Sequence, residues 1–143
     1  MTAYIDTSAL AKCYVREPWS LQVLDWADRQ GAPATAALTL VEFRCLLARR
    51  RRAGQIDAAL ERCALAEFDG HVRAGAWQIQ SVALKDHAAA RDLIDIIPAI
   101  SLRALDALHL AAARAIGATA FATADKVQAV AAEALGFTVH RFY

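Results

Sequence analysis

The sequence predicts an α/β fold organised on a mainly parallel sheet. Short apolar runs alternate with helical patterns of about ten residues or more, the signature of βαβ units. The helical patterns stop at Pro18, Gly31, Gly54, Pro98, Gly117 and Gly136, residue types that end helices or open turns. No internal repeat, low-complexity segment or linker interrupts the alternation, so residues 1–143 read as a single domain.

Residues 2–6 form the first strand, followed by a helix over residues 7–14 that ends before Pro18. A second helix spans residues 19–29, where Trp19 and Trp26, seven apart, are expected on one face, as core or as a contact surface for another chain. The small residues 32–37 form a short strand. From Thr39 the apolar period places Leu40, Phe43, Leu46 and Leu47 on one broad face. The run Arg49-Arg50-Arg51-Arg52 then closes the helix, where cations complement the helix dipole. A further helix over residues 56–72 repeats Ile56, Leu60, Ala64 and Phe68 at four-residue spacing. Residues 77–82 alternate apolar and polar as a strand does. A helix at 86–96, an almost wholly apolar helix at 102–116, a strand at 118–122, a helix at 125–135 and a strand at 137–140 complete the order.

At 143 residues the chain can bury roughly 68–70% of the surface its unfolded form exposes. Its 57% hydrophobic and 22% charged residues suit a compact soluble protein and exclude disorder. A net charge of +1 excludes a global electrostatic signature for nucleic acid or membrane, so local charge must recruit any such partner. Cys13, Cys45 and Cys63 are odd in number and lack CxxC spacing, and are expected as buried, reduced thiols. No basic segment precedes a long apolar core at the N-terminus, and apolar stretches such as residues 36–41 fall short of a membrane span. A cytoplasmic location without membrane contact is expected.

Four carboxylates stand where solvated acids are out of place. Asp6 ends the first apolar strand, at the strand end where parallel α/β folds bind ligands, although Asp there is also an ordinary helix cap. Glu42 interrupts an apolar run just before Phe43. Asp106 lies in Leu105-Asp106-Ala107-Leu108-His109-Leu110, where nearly every direction around the helix is apolar. A lone buried carboxylate neutralises, pairs or coordinates a metal, and Arg103 three residues earlier offers a structural alternative. Asp125 follows a second apolar strand and precedes Gln128 by three, which is also a capping pattern. Acids converging on one cleft need a cation, and oxygen-only ligands favour Mg²⁺ or Mn²⁺ over Zn²⁺. No His/Cys zinc spacing, Gly-rich phosphate loop or GxSxG elbow is present. This chemistry suits metal-assisted phosphodiester hydrolysis.

Tyr4-Ile5-Asp6-Thr7-Ser8-Ala9-Leu10, Leu40-Val41-Glu42-Phe43, residues 102–112, Ala122-Thr123-Ala124-Asp125-Lys126 and the tail at 132–139 resemble, in order, the motifs of PIN-domain nucleases. They are most similar to the VapC-like ribonuclease toxins of bacterial toxin–antitoxin modules. The resemblance implies a three-layer α/β/α sandwich with a central, mainly parallel sheet of four to five strands. It also implies a Mg²⁺- or Mn²⁺-dependent endoribonuclease with an acidic site of Asp6, Glu42, Asp106 and Asp125. The family's firmest metal ligands match Asp6 and Asp106. Glu42 would be a further ligand or orient the water, and Asp125 or Thr123 completes the site. Thr7 or Ser8 would donate to the Asp6 carboxylate or to phosphate. The family further implies a homodimer and a small antitoxin whose C-terminal segment covers the groove.

His109 shares a helix face with Asp106 and is read as a core histidine bonded to a neighbour or as a general base. Arg49, two turns from Glu42, is a candidate for RNA phosphate, with Arg44 and Arg103 as alternative phosphate or carboxylate partners. Two other functions compete with RNA cleavage. One is a PIN-like module that binds RNA or protein without cleaving, for which four intact acids are unneeded; the other is a PIN-like nuclease acting on DNA.

Overall fold

The computed structural model describes residues 2–143. Among them, five strands form one wholly parallel sheet: β1 (Ala3–Ile5), β2 (Ala34–Ala36), β3 (Gln78–Gln80), β4 (Ala120–Thr123) and β5 (Thr138–Arg141). Their spatial order is β3-β2-β1-β4-β5. The chain builds outward from β1 to β3 on one side, then returns to β1 and builds outward the other way. β1 and β4 therefore flank the switch point of the sheet, where parallel α/β folds open a crevice beyond the strand ends.

The helices are α1 (Thr7–Leu10), continued by a 3₁₀ turn at Ala11–Cys13, then α2 (Ser20–Gln30), α3 (Leu38–Arg52), α4 (Ala58–Arg73), α5 (Leu84–Ile96), α6 (Ala104–Ala115) and α7 (Lys126–Ala134). Strand alternation divides them into two layers. Ala3 and Ile5 of β1 pack with Leu10, Val23, Trp26, Phe43, Leu47 and Phe68 from the elements between α1 and α4. Tyr4 points the other way, into a core with Leu93 of α5, Leu110 of α6, Ala131 of α7 and Phe121 of β4. The result is the expected three-layer α/β/α sandwich with a mainly parallel sheet. Among the described residues no helix is long and apolar enough to cross a membrane.

Helix boundaries follow their caps. Asp6, Asp57 and Asp125 are extended residues whose carboxylates accept the backbone N–H three positions on, opening α1, α4 and α7. Trp19 departs from the expected shared face with Trp26. It precedes α2 with φ 76°, a left-handed conformation outside the helical period, and its side chain is 41% exposed. Trp26 is buried against His140 and Phe142. The cysteines also differ from expectation, because Cys13 is half-buried while Cys45 and Cys63 are exposed free thiols. On α3 the buried stripe is Thr39, Phe43 and Leu47, at four-residue spacing, and Cys45 falls on the opposite side. Ala64 and Phe68 define the buried stripe of α4 in the same way, and Cys63 lies off it.

Candidate active site

A cleft of about 370 Å³ opens at the switch point, lined by Asp6, Thr7, Glu42, Asp106, His109 and Asp125 together with Arg49 and Arg103. Four elements supply its acids. Asp6 terminates β1, Glu42 sits in the first turns of α3, Asp106 in the first turn of α6, and Asp125 caps α7 beyond β4. The sequence's four acids are thus brought to one cavity, from positions spread over nearly the whole chain.

Asp6 is the most deeply held. Its Oδ1 accepts Ser8 Oγ at 2.6 Å and the Ala9 N–H at 3.1 Å, and its Oδ2 accepts Thr123 Oγ1 at 2.6 Å. It is both a helix cap and a site carboxylate. Burial raises its pKa above the usual Asp range, against the lowering influence of His109 and of these hydrogen bonds. Thr123 is fully buried, and its hydroxyl also accepts the Asp125 N–H at 3.0 Å.

Of the two hydroxyls expected to serve Asp6, Ser8 does so, while Thr7 serves Glu42. Its hydroxyl lies 2.7 Å from Glu42 Oε1 and 3.0 Å from Thr39 Oγ1, and it makes no hydrogen bond to Asp6 among the described residues. α1 starts at Thr7, which turns successive side chains to different sides; Ser8 reaches back to Asp6 while Thr7 points toward α3. His109 Nε2 meets the same Glu42 oxygen at 2.6 Å. Burial alone would raise the Glu42 pKa, but the His109 and Thr7 contacts outweigh it and hold the carboxyl below the ordinary Glu range.

Asp106 accepts Arg103 Nε at 3.3 Å, and Arg103 Nη2 lies 3.6 Å from Asp125 Oδ2. Burial raises the Asp106 pKa and the charge of Asp125 adds to that, while Arg103 opposes both. The Arg103 side chain is 77% exposed, so these pairs are weak and readily exchanged. Arg49 lines the cleft as expected. Arg44 takes the carboxylate alternative instead, pairing with Glu61 of α4 at 3.5 Å, away from the cleft-lining residues.

The acids line one cleft without clasping a common point: among the described residues, no three His, Cys, Asp or Glu side chains are grouped to hold a metal ion. Asp106 and Asp125 are drawn to Arg103, and Glu42 is drawn back to His109 and Thr7. The donor chemistry nonetheless fits a hard divalent cation. An ionised carboxylate offers about four lone-pair sites, and three of those on Asp6 are filled, which leaves one on Oδ2. Both donors to Glu42 fall on Oε1, which leaves Oε2 without a hydrogen bond among the described residues. Burial raises the pKa of Asp6 and of Asp106, so a cation held by these carboxylates would offset the cost of their buried charge.

Two residues of this region were not given a chemical role from the sequence. Tyr4 donates or accepts at 2.7 Å to His109 Nδ1, and Gln128, fully buried, donates its amide to the Asp106 carbonyl at 3.1 Å. Tyr4 reads as a plain strand residue and Gln128 as the partner in a capping pattern. The only sequence signal for either is a polar group on an otherwise apolar face.

The PIN domain family matches residues 3–134. Ribonuclease VapC47 of Mycobacterium tuberculosis is 33% identical over 128 residues, covering 85% of this chain and 83% of that relative. The crystal structure of Mycobacterium tuberculosis VapC20, a sarcin-ricin loop cleaving toxin, matches with a TM-score of 0.70 at 19% identity, over 95% of this chain and 96% of that one, a likeness of fold. The chain belongs to the PIN-domain family as a VapC-like member.

Proposed function

We propose that this protein is a metal-dependent endoribonuclease, the toxin of a toxin–antitoxin module, acting as a single PIN domain over residues 1–143. The observation that carries the reading is the set of four acids around one cleft at the switch point, in a chain similar to Ribonuclease VapC47. Asp6 and Asp106 are the proposed metal ligands, through the remaining Oδ2 site of Asp6 and the cleft-lining Asp106 carboxylate, with Glu42 and Asp125 as further ligands. A bound Mg²⁺ or Mn²⁺ supplies a water of lowered pKa and neutralises charge on the phosphate.

The chain's own residues do the rest. Ser8 and Thr123 hold the Asp6 carboxylate in one orientation. Glu42 Oε2 is available to orient or accept a proton from the attacking water. Arg49 and Arg103 line the cleft and suit contact with RNA phosphates. A small antitoxin and a second copy of the chain are its proposed partners. Both partners, and a cytoplasmic location, are proposed from the family.

The test is cleavage of a structured RNA by the purified protein. Cleavage is expected with Mg²⁺ or Mn²⁺, is abolished by EDTA, and returns on adding the metal back. Asp6→Asn and Asp106→Asn are expected to be folded and inactive. A folded wild-type protein that leaves RNA intact in both metals would overturn the reading.

A further inference from the structure

His109 is buried, and among the described residues its side-chain hydrogen-bond contacts go to Tyr4 on β1, Thr7 on α1 and Glu42 on α3. Its Nδ1 lies 2.7 Å from the Tyr4 hydroxyl on β1, two residues before Asp6. Its Nε2 lies 2.6 Å from Glu42 Oε1 on α3 and 3.5 Å from Thr7 Oγ1. His109 itself is one turn after Asp106 on α6. One ring therefore touches the elements bearing three of the four acids.

The contacts also fix which nitrogen donates. Glu42 Oε1 accepts from Thr7, and a carboxylate, ionised at neutral pH, can only accept. Nε2 must then carry the proton. With Nε2 protonated in the neutral ring, Nδ1 is the acceptor, so the Tyr4 hydroxyl donates to it at 2.7 Å while its oxygen accepts the Ala36 N–H of β2 at 3.0 Å. The ring is further held edge-on to Tyr4, at 5.9 Å between centroids and 72°, and Tyr4 is stacked on Phe121 of β4 at 5.2 Å. The ring orientation is thus set from the sheet, by groups that never meet the cleft.

We propose that His109 is a positioning residue: oriented by Tyr4, it anchors Glu42 through Nε2–H on Oε1, which presents Oε2 to the cleft and registers α6 and α3 against β1. The proposal rests on the reading of the cleft as an RNA-cleaving site, but its geometry is testable without activity.

The first measurement is nitrogen-15 NMR of the histidine rings in the metal-free wild-type protein. The expected result is His109 protonated at Nε2. A ring protonated only at Nδ1 overturns the proposal. The second compares His109→Leu, which removes the donor, with His109→Gln, which keeps an N–H within reach of Glu42. His109→Leu is expected to lower kcat about 10- to 100-fold with KM for RNA little changed, and His109→Gln to recover most of that loss. Tyr4→Phe, which keeps the ring and its packing, should lower kcat by a smaller factor. Wild-type kcat in folded His109→Leu, or no recovery in folded His109→Gln, overturns the proposal. If the histidine variants do not fold, the wild-type protonation pattern together with Tyr4→Phe decides it. If wild-type protein cleaves no RNA, the functional reading fails, and the NMR result still decides the role of His109 in holding Glu42.

Discussion

Thr123 Oγ1 donates a 2.6 Å hydrogen bond to Asp6 Oδ2 although 117 positions separate the two residues. The bond crosses from the end of β4 to the end of β1, the neighbouring strands at the switch point. It orients the acid that the proposed metal needs most. Thr123→Val removes the donor and keeps the shape, and is expected to weaken Mn²⁺ binding about 10- to 100-fold. Thr123→Ser, which restores a hydroxyl, should bind nearly as wild type does. A calorimetric Mn²⁺ titration of the three proteins checks this, and equal affinities would remove Thr123 from the site.

Arg103 spans Asp106 and Asp125, an exposed cation among the acids. Arg103→Gln leaves the acids uncompensated. It is expected to tighten Mn²⁺ binding about 2- to 5-fold, the worth of an exposed ion pair. The same change should weaken binding of RNA to the catalytically dead Asp106→Asn protein and reduce its log–log salt slope by about 1, as for loss of one phosphate contact. Unchanged metal affinity and salt slope would place Arg103 outside both roles.

Glu17 joins the 3₁₀ turn after α1 to the last turn of α3. Its carboxylate lies 3.3 Å from Lys12 Nζ and 2.6 Å from Arg50 Nη1. Burial would raise its pKa, but the hydrogen bond and charge of Arg50, with Lys12, hold it below the ordinary Glu range. A depressed folded-state pKa contributes stability that is present above the unfolded value and lost as pH falls through the folded one. Glu17→Gln is therefore expected to destabilise by about 1 kcal/mol at neutral pH after solvent screening, or about 3 °C in melting temperature. The gap should close as pH falls below about 4.3, the unperturbed Glu value. Melting curves across this range check it, and a gap that persists in acid would exclude the ion pair as its source.

Much of this architecture is legible in the residue order. Alternating apolar runs and capped helices locate all five strands, because the period of each pattern and its stop residues are local. The acids are legible for a related reason: Asp6, Glu42, Asp106 and Asp125 are conspicuous against apolar neighbours, and all four line the cleft. What escapes is whatever depends on side-chain direction. Trp19 leaves the face of Trp26 because of one left-handed residue, and Cys45 and Cys63 turn outward because the buried stripes run through other positions. Thr7 and Ser8 are adjacent in sequence yet serve different carboxylates, and which of the two partners open to Arg44 it takes, a carboxylate, is decided by Glu61 on α4. The link between Tyr4, His109 and Glu42 is non-local in every step, so no spacing rule reveals it.

The central claim is that Asp6 and Asp106 jointly hold the metal on which RNA cleavage depends. It is tested most directly by electron paramagnetic resonance titration of Mn²⁺ into wild type, Asp6→Asn and Asp106→Asn, with cleavage measured on the same samples. Saturable Mn²⁺ binding is expected in wild type and weakens strongly in both variants, in step with the loss of cleavage. Wild-type Mn²⁺ affinity in both variants, or cleavage that survives either substitution, would contradict it.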